Sequence, residues 1–222
     1  MPRAALTHIY GTEGREVTRL AAWAAAATLR SGSRVLWVST KNYAIDTVGV
    51  ALGHQGPNPR MFLGRLIVSE PQTLPEQERA VEDACRMVAG SKGRVALVVV
   101  DSLTSLYRLA CGTGAEPAAR QRLAALAALL VAAARDASIA AIITNEVFAD
   151  LATGRTLPLR AEVIEAACAL TIRSERLRNS LHRFHVAGQE RSDLGSVDLD
   201  LVSERGAVPA LLPFIAHPGG DA

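Results

Sequence analysis

Hydrophobic positions along this chain follow two patterns. Through about residue 145, short unbroken apolar runs alternate with longer Ala- and Leu-rich segments. An unbroken run of this length predicts a strand buried on both faces, and the longer segments predict helices. Leu6–Tyr10 is predicted as a strand running into a loop at Gly11–Gly14, and Thr18–Arg30 as a helix stopped by Gly32. Further strands are predicted at Arg34–Thr40, Leu66–Val68, 95–100 and Ala140–Asn145. Helices fall at Pro75–Ala89 and Ala118–Asp136, an exposed turn at 53–60, and loops at Cys111–Pro117 and 149–161. Beyond that the pattern changes. Ala169–Arg173, Leu181–Val186 and Val197–Val202 alternate with turns such as Ser192–Gly195, which predicts antiparallel strands closing one sheet edge. The fold class is therefore α/β, a mostly parallel sheet flanked by helices with antiparallel C-terminal strands.

Composition narrows the picture without changing it. The 222 residues suffice for one sizeable domain, with the last ten expected to fray. Only 4% of residues are aromatic, so the core must be built from Ala, Leu and Val. A net charge of +2 is too mild to announce nucleic-acid binding by itself. Cys85, Cys111 and Cys168 are scattered, with no C-x-x-C spacing, which argues for a reducing cytoplasm and against a disulfide frame or structural zinc. With no basic-then-apolar leader and no long charge-free run, neither secretion nor membrane insertion is expected.

The candidate chemistry lies at two strand ends. Residues 8–18 lie where a phosphate loop, G-x-x-x-x-G-K-[ST], would lie, with Gly11 and Thr18 at its ends. Glu16 stands where the second glycine belongs and Val17 where the lysine belongs. Some 80 residues on, Arg94–Val100 is a buried strand that delivers Asp101 at its tip, followed by Ser102. A Ser102 nucleophile is rejected, for want of a Gly-x-Ser-x-Gly elbow or an assignable histidine. His8, His54 and His217 are isolated, and Trp23 and Trp37 sit in apolar segments as core residues.

These residues resemble the RecA/RadA recombinase ATPases, a P-loop NTPase family, and especially their short archaeal RadB-type paralogues. Leu6–Gly14 is similar to the strand and first half of their phosphate loop. Val98–Arg108 is similar to their acidic strand and the segment after it, Ile142–Val147 to the strand that senses the nucleotide, and Arg178–Val208 to their closing strands. The resemblance implies a RecA-like core in which Gly11, Gly14, Arg15, Thr18, Asp101 and Ser102 are the cofactor-binding candidates. Thr18 and Asp101 would be the magnesium-side ligands if Mg-ATP binds.

Several positions depart from that family. Where glycine would let backbone N–H groups wrap a phosphate, Glu16 brings a side chain and a negative charge. Val17 forfeits a charge-assisted hydrogen bond of about 1.5–3 kcal/mol. Lys41 stands at the place of the catalytic glutamate, and Glu146 at that of the sensor glutamine. Hydrolysis by the family mechanism is not expected, leaving ATP/Mg2+ binding weak or absent. The exchanged charges suggest that Lys41 pairs with Asp101, Glu16 or Glu146 and fills the phosphate site from within; the alternative is a solvent-facing lysine.

The resemblance also implies two loops that touch single-stranded DNA, at about 110–117 and 149–161. The first is poor in basic residues; the second carries Arg155 and Arg160, with Thr153 and Gly154 as backbone donors. Arg173, Arg176, Arg178, His182 and Arg183 form a further basic cluster, with Arg183 and His185 on one strand face. The chain opens at the core strand, without the N-terminal helical domain by which full recombinases polymerise, so filament formation is not expected. Three functions remain open: an accessory protein acting on DNA and a RadA-type recombinase with hydrolysis lost, a weak ATP-binding switch using Arg15 or Arg19, and a structural subunit without DNA contact.

Overall fold

The computed structural model describes residues 3–12, 14–111, 116–145, 147–149, 156–159, 161–189 and 192–200. The chain runs β1 (Ala5–Gly11), α1 (Gly14–Arg30), β2 (Arg34–Ser39), α2 (Ala44–His54), α3 (Arg60–Leu63), β3 (Leu66–Ser69), α4 (Leu74–Gly90) and β4 (Val95–Asp101). It continues through α5 (Ser105–Cys111), α6 (Glu116–Asp136), β5 (Ala140–Asn145), β6 (Val147–Ala149), β7 (Thr156–Pro158), α7 (Ala161–Glu165), β8 (Leu170–Arg178), β9 (Leu181–Gly188) and β10 (Asp193–Asp200).

Eight strands form one sheet in the order β10-β9-β8-β1-β5-β4-β2-β3. The pairs from β8 through β3 are parallel; β8–β9 and β9–β10 are antiparallel. Helices cover both faces of the parallel part. α1 and α2 pack Leu20, Ala22, Trp23, Val48 and Leu52 with Ile9, Trp37, Val99 and Ile142. α4, α6 and α7 pack Val81, Leu123, Leu130 and Ile164 with Leu6, Val98, Val100 and Ile143. Burial on both faces explains why β2, β4 and β5 read as continuous apolar runs. β9 alternates buried and half-buried positions because one of its faces meets solvent.

The structure adds to or revises the sequence expectations at four places. α2 stands where no element is predicted, and Gly49 and Gly53 lower its helix propensity. Burial of Ala44, Val48, Ala51 and Leu52 against α1 outweighs that cost. α5 begins six residues before the expected loop at Cys111–Pro117. Segment 149–161 is not loop throughout: β7 pairs with β6 as a small hairpin. Ser192–Gly195 is not a turn alone, since Asp193 already pairs with Ala187, and an irregular register between Asp193 and Gly195 absorbs the extra residue. Gly195 adopts φ 113°, a conformation that suits glycine. Among the described residues, no helix is long and apolar enough to cross a membrane.

Candidate functional site

Neighbouring parallel strands β1, β5 and β4 deliver Gly11, Asn145 and Asp101 to one edge of the sheet. From β1 the chain crosses β5 and β4 to reach β2 by way of α1 on one face. It returns from β4 to β5 by way of α5 and α6. Such a reversal of strand order opens a crevice at the carboxyl ends of the strands. β2 adds Ser39 to the same edge, and Thr40 and Lys41 follow directly. The Thr40 N–H donates to the Asp101 carbonyl at 2.8 Å, tying the two strand tips together.

At the centre lies a buried carboxylate with a full set of partners. Asp101 has no exposed side-chain surface, and Lys41 retains 18%. Lys41 Nζ donates to Asp101 Oδ1 at 3.0 Å and to Thr18 Oγ1 at 3.0 Å. Thr144 Oγ1 donates to Asp101 Oδ1 at 2.6 Å. Thr18 Oγ1 stands 2.9 Å from Asp101 Oδ2 and 3.0 Å from the Gly14 carbonyl, and gives its single proton to one of them. A buried charge is tolerated when it is paired and its lone pairs are satisfied, and Asp101 meets both conditions. A doubly charged cation held beside the Lys41 ammonium would be repelled by on the order of 10 kcal/mol at an effective dielectric of ~20.

A cavity of about 200 Å³ opens beside this cluster, lined by Gly11, Gly14, Val17, Lys41, Thr144 and Asn145 among others. That is below the roughly 300–1,000 Å³ of pockets that hold drug-sized ligands. Val17 adds an apolar side chain to the lining of this cavity. A larger groove of about 720 Å³ lies between α4 and α6, apart from every residue of this cluster.

Of the three carboxylates offered as partners for Lys41, the structure brings Asp101 to it. Glu16, in the first turn of α1, is buried with Oε1 3.9 Å from His182 Nε2 of β9, and it does not line the cavity. Glu146 lies outside the described residues, as do Thr153, Gly154, Arg155, Arg160 and part of the 110–117 segment. Arg15 is exposed and not among the cavity-lining residues. The Ser102 hydroxyl faces α5, accepting from the Thr104 and Ser105 N–H groups at 3.1 and 3.2 Å. Gly11 packs so closely on β8 that a Cβ there would come within 2.7 Å of Ser174 Cβ.

The second basic cluster is largely neutralised. His182, one strand position from Arg183, is 3% exposed and belongs to the interior, so the cluster is only partly at the surface. Arg183 and His185 share the outward face of β9, as strand alternation requires. Arg183 forms a two-pronged ion pair with Asp198 of β10 at 2.7 and 2.8 Å. That hydrogen bonding raises the Arg183 pKa and holds the Asp198 carboxyl below its ordinary range. His185 Nε2 lies 2.9 Å from Glu175, whose carboxyl is lowered by that bond, and Arg173 stands 3.7 Å from the same group. Arg178 is exposed at the end of β8.

Three further residues support the site, and the sequence gives no sign of the roles of two of them, Thr144 and Gln77. Thr144 sits in an apolar run where a hydroxyl draws no notice. Gln77 is fully buried on α4 and donates to the Ser102 and Leu103 carbonyls at 3.1 and 3.2 Å. Asn145 accepts from Thr104 Oγ1 and donates to the Leu159 carbonyl at 2.8 Å, linking β5 to the segment after β7. The family resemblance points to Asn145, but nothing local in the sequence shows these partners. Among the described residues, no cluster of three metal-ligating side chains occurs.

The sequence profile of the Rad51 family matches residues 54–166. The DNA repair and recombination protein RadB of Methanoculleus marisnigri is 29% identical over 176 residues, covering 79% of this chain and 76% of that protein. RadB of Thermococcus kodakarensis is 30% identical over 176 residues, covering 78% and 74%. Among solved structures, a RadB recombinase crystal structure superimposes with a TM-score of 0.70 at 26% identity, covering 89% of this chain and 87% of that one.

Proposed function

This chain belongs to the Rad51 family, as a RadB-type member of the RecA/RadA superfamily with a RecA-like fold, and from that premise we propose that it serves recombination as a non-hydrolysing accessory. Its relatives place it in DNA repair and recombination. It acts by binding single-stranded DNA, a RadA-type recombinase or both, with ATP turnover lost.

The observation that carries this reading is the cation at the tip of β2. Water attack on a phosphoryl group calls for a residue that orients or deprotonates the water. The place of that carboxylate holds Lys41, already committed to Asp101 and Thr18. Val17 removes the phosphate-contacting cation as well. DNA contact is assigned to Arg155 and Arg160 within residues 149–161 and to Arg178 and Arg183 on the antiparallel ribbon. Arg183 would have to exchange Asp198 for a phosphate.

Fluorescence anisotropy with a labelled oligothymidylate, titrated across salt, tests the DNA arm, and a pull-down with a RadA-type recombinase tests the other. The expected result is saturable binding in at least one arm, with DNA affinity falling as salt rises and no phosphate release above blank when Mg-ATP is added. Phosphate release that scales with protein and disappears in Asp101→Asn would overturn the non-hydrolysing reading. Absence of both kinds of binding would leave the structural-subunit alternative.

A further inference from the structure

We propose that the Lys41 ammonium is a resident cation that takes the place of the divalent metal in this nucleotide-binding fold. The family generally binds nucleotide with Mg2+. Thr18 and Asp101 are the candidates for the metal side of such a site, so the residues present can be tested for fit. They do not fit a metal. The threonine hydroxyl and the buried carboxylate both already receive hydrogen bonds from one amine, each at 3.0 Å, and Thr144 takes a further lone pair of Asp101 Oδ1.

The amine is built into the fold. Lys41 follows β2 directly, and Thr40 ties that segment to the ends of β4 and α5. The Thr40 N–H donates to the Asp101 carbonyl at 2.8 Å, Thr40 Oγ1 accepts from the Ser102 N–H at 3.1 Å, and it pairs with Ser105 Oγ at 2.6 Å. Ser39 Oγ accepts from the Lys41 N–H at 3.1 Å, fixing the start of the side chain. The ammonium also lies 5.9 Å from the Tyr43 ring centre, within cation–π range. One positive charge therefore neutralises Asp101 and bridges the start of α1 to β4 without any ion from solution. The consequence is a crevice whose buried carboxylate is neutralised independently of metal. This rests on the accessory reading above, whose loss of hydrolysis it accounts for chemically.

Thermal melts without nucleotide, in EDTA and in millimolar Mn2+, compare wild type, Lys41→Met and Lys41→Met/Asp101→Asn. Wild type should melt at the same temperature in both conditions. Lys41→Met should melt roughly 5–10 °C lower in EDTA, because the buried carboxylate loses its partner, and recover part of that in Mn2+. The double variant should not respond to Mn2+. A Mn2+-dependent rise in wild type, or a Lys41→Met protein indifferent to Mn2+, would overturn the proposal.

The chain has two lysines, Lys41 and Lys92, which provides a second test if Lys41→Met does not fold. Under limiting acylation of the wild type, exposed Lys92 should label several-fold faster than Lys41, and equal rates would overturn the proposal. Failure to bind DNA or recombinase would sink the accessory reading and leave these results unaffected.

Discussion

At the scale of single residues, the site is governed by what surrounds each charge. Asp101 is wholly buried yet carries no uncompensated charge, because Lys41, Thr18 and Thr144 surround its carboxylate. Glu16, the residue most at odds with a phosphate loop, turns its carboxylate toward His182 instead of the cavity. Gly11 has a structural reason to be glycine that is separate from any phosphate. A methyl group there would meet Ser174 Cβ at 2.7 Å and the Ser174 carbonyl oxygen at 3.0 Å. Gly11→Ala should therefore destabilise the protein by about 1–3 kcal/mol, the usual range for overpacking. Urea unfolding measures this, and adding Ser174→Gly should restore part of the loss, whereas a purely ligand-binding glycine would show no such rescue.

At the scale of elements, the tips of β2, β4 and β5 and the start of α5 form one hydrogen-bonded unit. Thr40, Ser102, Ser105, Thr104 and Asn145 link successive segments, and Asn145 extends the chain of contacts to Leu159. Gln77 braces this unit from α4 by holding two carbonyls of the β4–α5 connection. Gln77→Leu would leave the Ser102 and Leu103 carbonyls without those donors, at an expected cost of about 1–3 kcal/mol. Chemical denaturation checks the magnitude. Faster exchange of amides in 101–111 than in α6 would locate the loss. The antiparallel ribbon differs in kind. Its Arg183–Asp198 and His185–Glu175 pairs lie across exposed strands and mainly set the register of the pairing.

At the scale of the whole molecule, two apolar layers built on opposite faces of one sheet hold the strand ends in place. Within the sheet sits His8, fully buried beside Ile143 of β5 and Thr171 of β8. Neither ring nitrogen has a hydrogen-bond partner among the described residues, and burial pushes its pKa down to about 3. The folded state therefore holds His8 neutral, while the unfolded chain protonates it below its ordinary value near 6.5. Stability contributed by the neutral ring is present above about pH 6.5 and is lost as pH falls toward 3, by up to ~5 kcal/mol. Urea midpoints measured from pH 7 to pH 4 should fall more steeply for wild type than for His8→Gln, and parallel curves would contradict this.

What the sequence by itself determined is the frame: apolar runs placed the strands, the Ala-rich segments placed α1 and α6, and the last third announced an antiparallel edge. It also put Asp101 at a strand tip and showed a loop without its lysine. These features are legible because burial on one or two faces imposes a local period on the chain. The tertiary structure alone decided which charges meet. Lys41 reaches Asp101 across 60 positions and Thr18 reaches it across 83, because strands distant in sequence lie side by side in the sheet. The pairing of Glu16 with His182, the interior place of His182 and the brace from Gln77 likewise follow from which strand or helix lies next to which. No local pattern encodes that adjacency, since a polar side chain in an apolar run looks the same whether or not a partner awaits it.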